Sequence, residues 1–233
     1  MLKNFDIKPP FFEVGPKAFL YGEKMLNLAK VIDKTAMKYD VDVIVTPQYT
    51  DISLLAQNTE RIFVFAQHMD SLPVGRGLGS VLPEAVKAAG AVGVMLNHAE
   101  KPLTMEEVEK TIRRADEVGL ATIVCADTVE DVKTIAKMAP NLIVAEPTDL
   151  IGTGQTSDSN YVIDTIQTVR SINPDIMVLQ GAGISNGQDV YNTIKLGAQA
   201  TGSTSGIIKA SDPYAMVEEM LFALRKAWDE LHP

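Results

Sequence analysis

The chain has one cysteine, three histidines and fewer basic than acidic side chains, and each shortage excludes a class of protein. With Cys125 alone, no internal disulfide can form. His68, His98 and His232 are far apart, and no Cys/His group has zinc-ligand spacing, so the expectation is a protein that uses no metal. Lys and Arg number 21 against 30 Asp and Glu, a net charge of −9. That deficit argues against nucleic acid or an anionic membrane as a partner, because both need clustered positive charge. It leaves a small anionic substrate open, since backbone N–H groups bind phosphate even on an acidic protein. No apolar run is long enough to span a bilayer, and the N-terminal MLKNFDIKPPFF lacks the apolar stretch of a signal peptide. The expectation is a cytoplasmic protein.

What the chain does have is material for a core. Apolar residues make up 46% of the 233, and they come in short runs that alternate with amphipathic stretches. Strands are expected at 11–14, 41–45, 62–65, 92–96, 120–124, 142–145, 176–179 and, from a weaker signal, 198–202. Helices are expected at 18–39, 51–57, 83–89, 105–118, 129–138, 158–172, 187–196 and 213–231. Start and stop signals frame several of them. Thr104 precedes MEEVEKTIRRADEV with Glu107 three residues on, the pattern of a capping box, and Gly119 follows as a stop. Asp158 opens another helix, and Pro174 lies beyond its end. Eight strand–helix units without a linker predict one domain over 1–233, a TIM-type (β/α)8 barrel of eight parallel strands with outer helices. A doubly wound open sheet is the structural alternative.

In such a barrel the residues just past the strands share one rim. Lys17 follows the first strand, His98 the fourth and Glu146 the sixth. Small-residue segments follow the last two, GAGIS at 181–185 and STSG at 203–206. These loops are the usual phosphate site of the architecture, so Gly183, Ser185, Ser205 and Gly206 are candidate phosphate ligands. Glu146 ends the apolar run LIVA and runs into PTDLIGTG, where Pro147 forbids a continued ladder and Gly152 and Gly154 permit turns. A carboxylate placed by a rigid strand beneath a lid could remove a proton from a carbon beside a carbonyl. His98 could donate to the oxygen where charge develops. Taken singly, each of these residues has a plain structural reading. His68 has no evident catalytic partner, and Cys125 reads as a small core residue at the end of the fifth strand.

LNHAEK (96–101), AEPTDLIGTG (145–154), AQHMDSLP (66–73), VLPEAVKAAGAVGVMLNH (81–98) and GAGISNGQDV (181–190) resemble triosephosphate isomerase, and in particular its short archaeal-type branch. The resemblance runs through nearly the whole chain in order. It implies an eightfold βα barrel without cofactor that interconverts dihydroxyacetone phosphate and glyceraldehyde 3-phosphate through an enediolate, in glycolysis and gluconeogenesis. It implies Glu146 as base, His98 as neutral electrophile, Lys17 as a charge holding the phosphorylated substrate, Glu100 as the acid two positions past the histidine, and 147–154 as the lid.

Three departures cluster at the rim. The family's Asn-x-Lys after strand one is here Gly15-Pro16-Lys17. Ala99 stands where serine is usual between the histidine and the glutamate. The end of strand eight is the polar Thr201-Gly202-Ser203-Thr204. Gly15, counted among the substrate-binding residues with Gly152, could make room for a larger substrate. Two alternatives therefore stand beside the triose reading: the same chemistry on another small phosphorylated sugar, such as a tetrulose phosphate, and a barrel that binds a phosphometabolite without turnover. The long segment 66–80 matches a family loop that reaches into a neighbouring subunit, and Met69, Leu72, Val74 and Leu78 give it apolar contacts to offer. A homo-oligomer, dimer or tetramer, is expected.

Overall fold

The computed structural model describes residues 1–233. Eight parallel strands close on themselves in chain order: β1 (Phe11–Val14), β2 (Asp42–Val45), β3 (Phe63–Ala66), β4 (Gly93–Leu96), β5 (Ala121–Ala126), β6 (Leu142–Ala145), β7 (Met177–Gln180) and β8 (Ala200–Ser203). Closure is a β1–β8 ladder that sets Phe11 opposite Ala200 and Glu13 opposite Gly202. It excludes the open-sheet alternative.

Both faces of every strand are covered, which is why the strands read as unbroken apolar runs. Phe11, Ile44, Phe65, Ile123, Leu142, Val144 and Leu179 point inward and fill the barrel. Their neighbours Phe12, Val14, Val43, Val45, Val124, Ile143 and Val178 point outward and pack under the helices. The rings of Phe63 and Phe65 meet Phe5 edge-on at 5.7 Å, closing the end of the barrel opposite the rim. Gly93 makes this filling possible, since a Cβ there would fall 2.2 Å from the Phe65 ring.

The surrounding helices are α1 (Gly22–Tyr39), α2 (Ile52–Ala56), α3 (Pro83–Ala88), α4 (Met105–Val118), α5 (Val129–Lys137), α6 (Ser159–Ile172), α7 (Gly187–Lys195), α8 (Ser205–Ile208) and α9 (Pro213–Leu231). In α4 the buried Val108, Ile112 and Ala115 recur at helical spacing. Lys110 and Arg113 pair outward with Glu106 and Glu109 one turn back. Gly119 ends the helix at φ 81°, where a side chain would be strained.

The structure alters some expected details. Thr104 caps α4 by accepting from the Glu107 N–H, but the reciprocal half of the box is absent, because the Glu107 carboxylate accepts from the Ser71 hydroxyl instead. A complete box appears at Thr128 and Asp131. The first helix starts at Gly22 rather than near residue 18, because Lys17 and Gly22 both have positive φ and break helical continuity. The one-turn α8 is an additional element after β8.

Segment 66–80 stands on a built base. His68 is buried with Nε2 3.2 Å from Asp70 Oδ1, and Asp70 and Val81 exchange two hydrogen bonds, Asp70 N–H to the Val81 carbonyl and Val81 N–H to Asp70 Oδ2. Met69 is fully buried under this base, so it offers no outward contact. Val74 and Leu78 are exposed.

Candidate active site

Each expected reacting residue is held by its strand end and by the backbone around it. Asn97, at φ 58°, ties the β4 exit down by donating to the Cys125 carbonyl and accepting from the Leu103 N–H. That turn lets the Glu100 N–H donate to His98 Nδ1 at 3.1 Å. An imidazole that accepts at Nδ1 carries its proton on Nε2, so the ring is a neutral donor on its other side. Burial and the Lys17 ammonium both lower the His98 pKa, partly offset by Glu100, which keeps the ring neutral.

Lys17 has φ 49°, and two amides fix its backbone: Gln48 and Gln67 both donate to its carbonyl, at 2.7 and 2.9 Å. Its ammonium pairs with Glu100 at 2.6 Å, and the Glu100 pKa is lowered chiefly by that bond. Neither glutamine was foreseen from the sequence, because each acts through a backbone carbonyl remote in the chain.

Glu146 leaves β6 with its N–H on the Ala126 carbonyl and its Oε1 accepting from the Ala182 N–H at 2.9 Å. Gly181 gives it room, since a Cβ there would fall 2.9 Å from Glu146 Cβ. Burial raises the Glu146 pKa against the opposing pull of Lys17 and the Ala182 amide, as a general base requires. Beyond it, one tight turn at Thr148–Leu150 is anchored by the Thr148 N–H on Asp127 Oδ1 at 2.8 Å.

Gly152 has φ 75° but its Cβ direction faces open space, so it shapes the turn of the segment expected to be the lid and makes no close contact of its own. At the far end of the segment Gly183 meets Gln155 so tightly that a Cβ would lie 1.9 Å from its carbonyl oxygen. The segment after Glu146 thus ends directly against the β7 loop.

The β7 and β8 loops touch at Gly206, where a Cβ would fall 2.6 Å from both the Ile184 carbonyl and Ser203 Oγ. Ser205 and Gly206 open α8, and their amides precede the first intrahelical bond. The Ser185 N–H is already committed to Asp189 Oδ2, and its hydroxyl donates to the Gly183 carbonyl. Ser185 therefore braces the loop, and its hydroxyl must turn to reach an anion.

Gly15 lies on the floor of this hollow. Its Cβ direction is not empty: it points at Glu13 Oε1, 3.0 Å away, and at Thr204 Oγ1, 3.2 Å away. The space expected to admit a larger substrate is filled by the protein itself. Glu13 was missed in the sequence, although a glutamate in the middle of FFEV on the same face as Phe11 was a visible signal. Cys125, on the inward face of β5, is buried as expected, and burial together with Glu146 and Glu13 pushes its thiol pKa well up.

The triosephosphate isomerase family model matches residues 17–220. The chain belongs to the triosephosphate isomerase family. It is 36% identical over 228 residues to triosephosphate isomerase of Sulfurisphaera tokodaii, covering 96% of this chain and 99% of that one. It is 40% identical over 195 residues to that of Methanobacterium bryantii, covering 82% and 86%. In fold it is similar to the crystal structure of triosephosphate isomerase from Bartonella henselae, with a TM-score of 0.74, 14% identity, and coverage of 96% of this chain and 100% of that one. Triosephosphate isomerase is the reference case for tuning a glutamate base and a neutral histidine apart. The model match begins at Lys17, so Glu13 and Gly15 stand before it.

Proposed function

We propose that this chain interconverts dihydroxyacetone phosphate and glyceraldehyde 3-phosphate, with Glu146 as base, His98 as electrophile and Lys17 as the fixed positive charge. The observation that carries the assignment is the neutral His98, its Nδ1 occupied by the Glu100 amide, on a rim that also holds the raised Glu146 and the Lys17 charge. Glu146 takes a proton from the carbon beside the carbonyl. The carbonyl oxygen, accepting from His98 Nε2, carries the resulting enediolate charge; His98 gives that oxygen a proton and regains one from the adjacent hydroxyl, and Glu146 returns its proton to the former carbonyl carbon as the new carbonyl forms beside it. Phosphate sits between the β7 and β8 loops, with the amides of Gly183, Ser205 and Gly206 in reach and the lid over it. The tetrulose alternative loses its main support, since the room at Gly15 is taken by Glu13 and Thr204. Retention of both reacting groups counts against a non-catalytic binder.

Shortening the base tests the assignment. Glu146→Asp withdraws the carboxylate by about 1 Å and is expected to lower kcat by roughly 10²-fold or more, with affinity for glycerol 3-phosphate little changed. Loss of affinity with turnover per bound substrate retained would remove Glu146 from the role.

We also infer a homo-oligomer built on segment 66–80, acting in the cytoplasm. Its braced base carries Val74 and Leu78 outward, and exposed apolar side chains on an ordered loop suit a partner surface. No helix is long and apolar enough to cross a membrane. Light scattering at micromolar concentration is expected to give a dimer or tetramer mass that falls to the monomer in a Val74→Ser, Leu78→Ser double variant. A monomer mass for the unaltered chain refutes the inference.

A further inference from the structure

The departures at β1 and β8 converge on one side chain. Glu13 points inward from β1 and is 9% exposed. Thr46, just past β2, donates to its Oε1 at 2.9 Å. Gly15 and Gly202 flank the carboxyl. A Cβ on Gly202 would fall 3.0 Å from Glu13 Oε2 and 2.8 Å from the Glu13 carbonyl oxygen, and one on Gly15 would fall 3.0 Å from Oε1. Two glycines and a threonine on three strands thus make a cradle shaped to this carboxyl. Oε2 takes no hydrogen bond from the protein and is not sealed from solvent. Lys17 and Glu146 both act on the Glu13 charge, so the group lies within electrostatic reach of both.

We propose that Glu13 is a further substrate-contacting residue of this barrel: its carboxyl, held in the cradle of Gly15, Thr46 and Gly202, donates a hydrogen bond from Oε2 to an oxygen of the bound phosphosugar that reaches the floor. The inference rests on the isomerase reading for the identity of that sugar. No covalent bond is made or broken in this contact, and the proton stays on Oε2.

The chemistry of the cradle fixes the direction of donation. Thr46 offers its proton to Oε1, so in the protonated carboxyl Oε1 is the carbonyl-like oxygen and Oε2 carries the acid proton. Burial pushes the carboxyl up to about 7; the Thr46 bond and Lys17 oppose the rise, and Glu146 adds to it. A neutral acid supplies a donor at a floor where glycine has none. An ionised one would offer no donor and would set a second carboxylate beside Glu146, facing an anionic substrate. The other charged groups around the hollow, Lys17, Glu100, His98 and Glu146, are common to every variant below.

The test compares the unaltered enzyme with Glu13→Gln, Glu13→Ala and Thr46→Val in two readouts, kcat/KM on triose phosphate and affinity for glycerol 3-phosphate, across pH. The titration of the ligand itself is the same for all four proteins. For the unaltered enzyme both quantities are expected to fall above about pH 7, by about tenfold or more in all, as the donor is lost and a second carboxylate charge appears. Glu13→Gln keeps a non-titrating donor and removes that limb. Thr46→Val withdraws a bond that lowers the Glu13 pKa, so it moves the limb to higher pH. Glu13→Ala weakens glycerol 3-phosphate binding about tenfold at about pH 6.

A limb unchanged in Glu13→Gln, or full affinity in Glu13→Ala, overturns the contact and leaves Glu13 a filler of the cavity. Glycerol 3-phosphate binding with the Glu13-dependent limb, but no turnover of triose phosphate, upholds the contact and refutes the isomerase reading instead.

Discussion

The rim has two arcs that behave differently. Along β4 to β7 the proposed reacting groups are single side chains aimed by backbone, His98 by the Glu100 amide and Glu146 by the Ala182 amide, and the proposed lid is anchored by Asp127. Along β8, β1 and β2 the floor is a set of interlocked choices, in which Glu13 needs Gly15 and Gly202 for space and Thr46 for its hydrogen bond. In the first arc each residue stands at its own strand exit and needs only a single backbone or side-chain anchor nearby. In the second, no member makes sense without the others. Gly15 alone reads as a lost amide, and Gly202 alone as a weakened strand, yet together they admit a carboxyl that neither predicts.

The sharpest way to break this comparison is to measure stability against pH. The folded Glu13 pKa, about 7, lies above its ordinary 4.5. The folded chain therefore binds the proton more tightly than the unfolded one. Stability from this group is full below about 4.5 and is lost as pH rises through about 7, a decline of about 3 kcal/mol. Urea melts at about pH 5 and about pH 8 are expected to show this loss in the unaltered chain and not in Glu13→Gln. Equal pH dependence in both would place Glu13 outside the low-dielectric floor.

A smaller effect tests whether the floor is one unit. Gly15→Asn adds a Cβ where Glu13 Oε1 and Thr204 Oγ1 already sit, so it is expected to destabilise rather than restore. The same change in a Glu13→Ala background should be tolerated better, with a coupling of about 1–2 kcal/mol between the two sites. Additive effects would mean the floor residues act separately, as those of the other arc do.

The smallest effect belongs to the lid. Asp127→Ala frees the Thr148 N–H and is expected to change kcat by only a few-fold, because one backbone hydrogen bond is worth about 1 kcal/mol. Stopped turnover would show instead that this anchor positions Glu146 as well as the lid.

Much of the barrel was legible in the chain because its signals are local. LIVA followed by Glu and Pro, or Thr104 ahead of a helical repeat with Gly119 behind it, announces a strand exit or a helix by itself. His98, Glu146 and Lys17 were readable for the same reason, each standing just past such a signal. Gln48 and Gln67 were not, since their partner is a carbonyl on another strand exit, and a glutamine gives no sign of where its amide will point. Met69 read as an exposed apolar contact because its neighbours are polar, whereas the His68–Asp70–Val81 clamp folds it inward.

The order of strands and helices, and the placing of an acid, an imidazole and an amine at strand exits, were set by sequence alone, because periodicity and turn chemistry act over a few neighbouring residues. The role of Glu13 was decided only when β1 closed against β8 and brought it beside Gly202, because the free energy of a buried carboxyl depends on the space, the donor and the charges that distant strands supply.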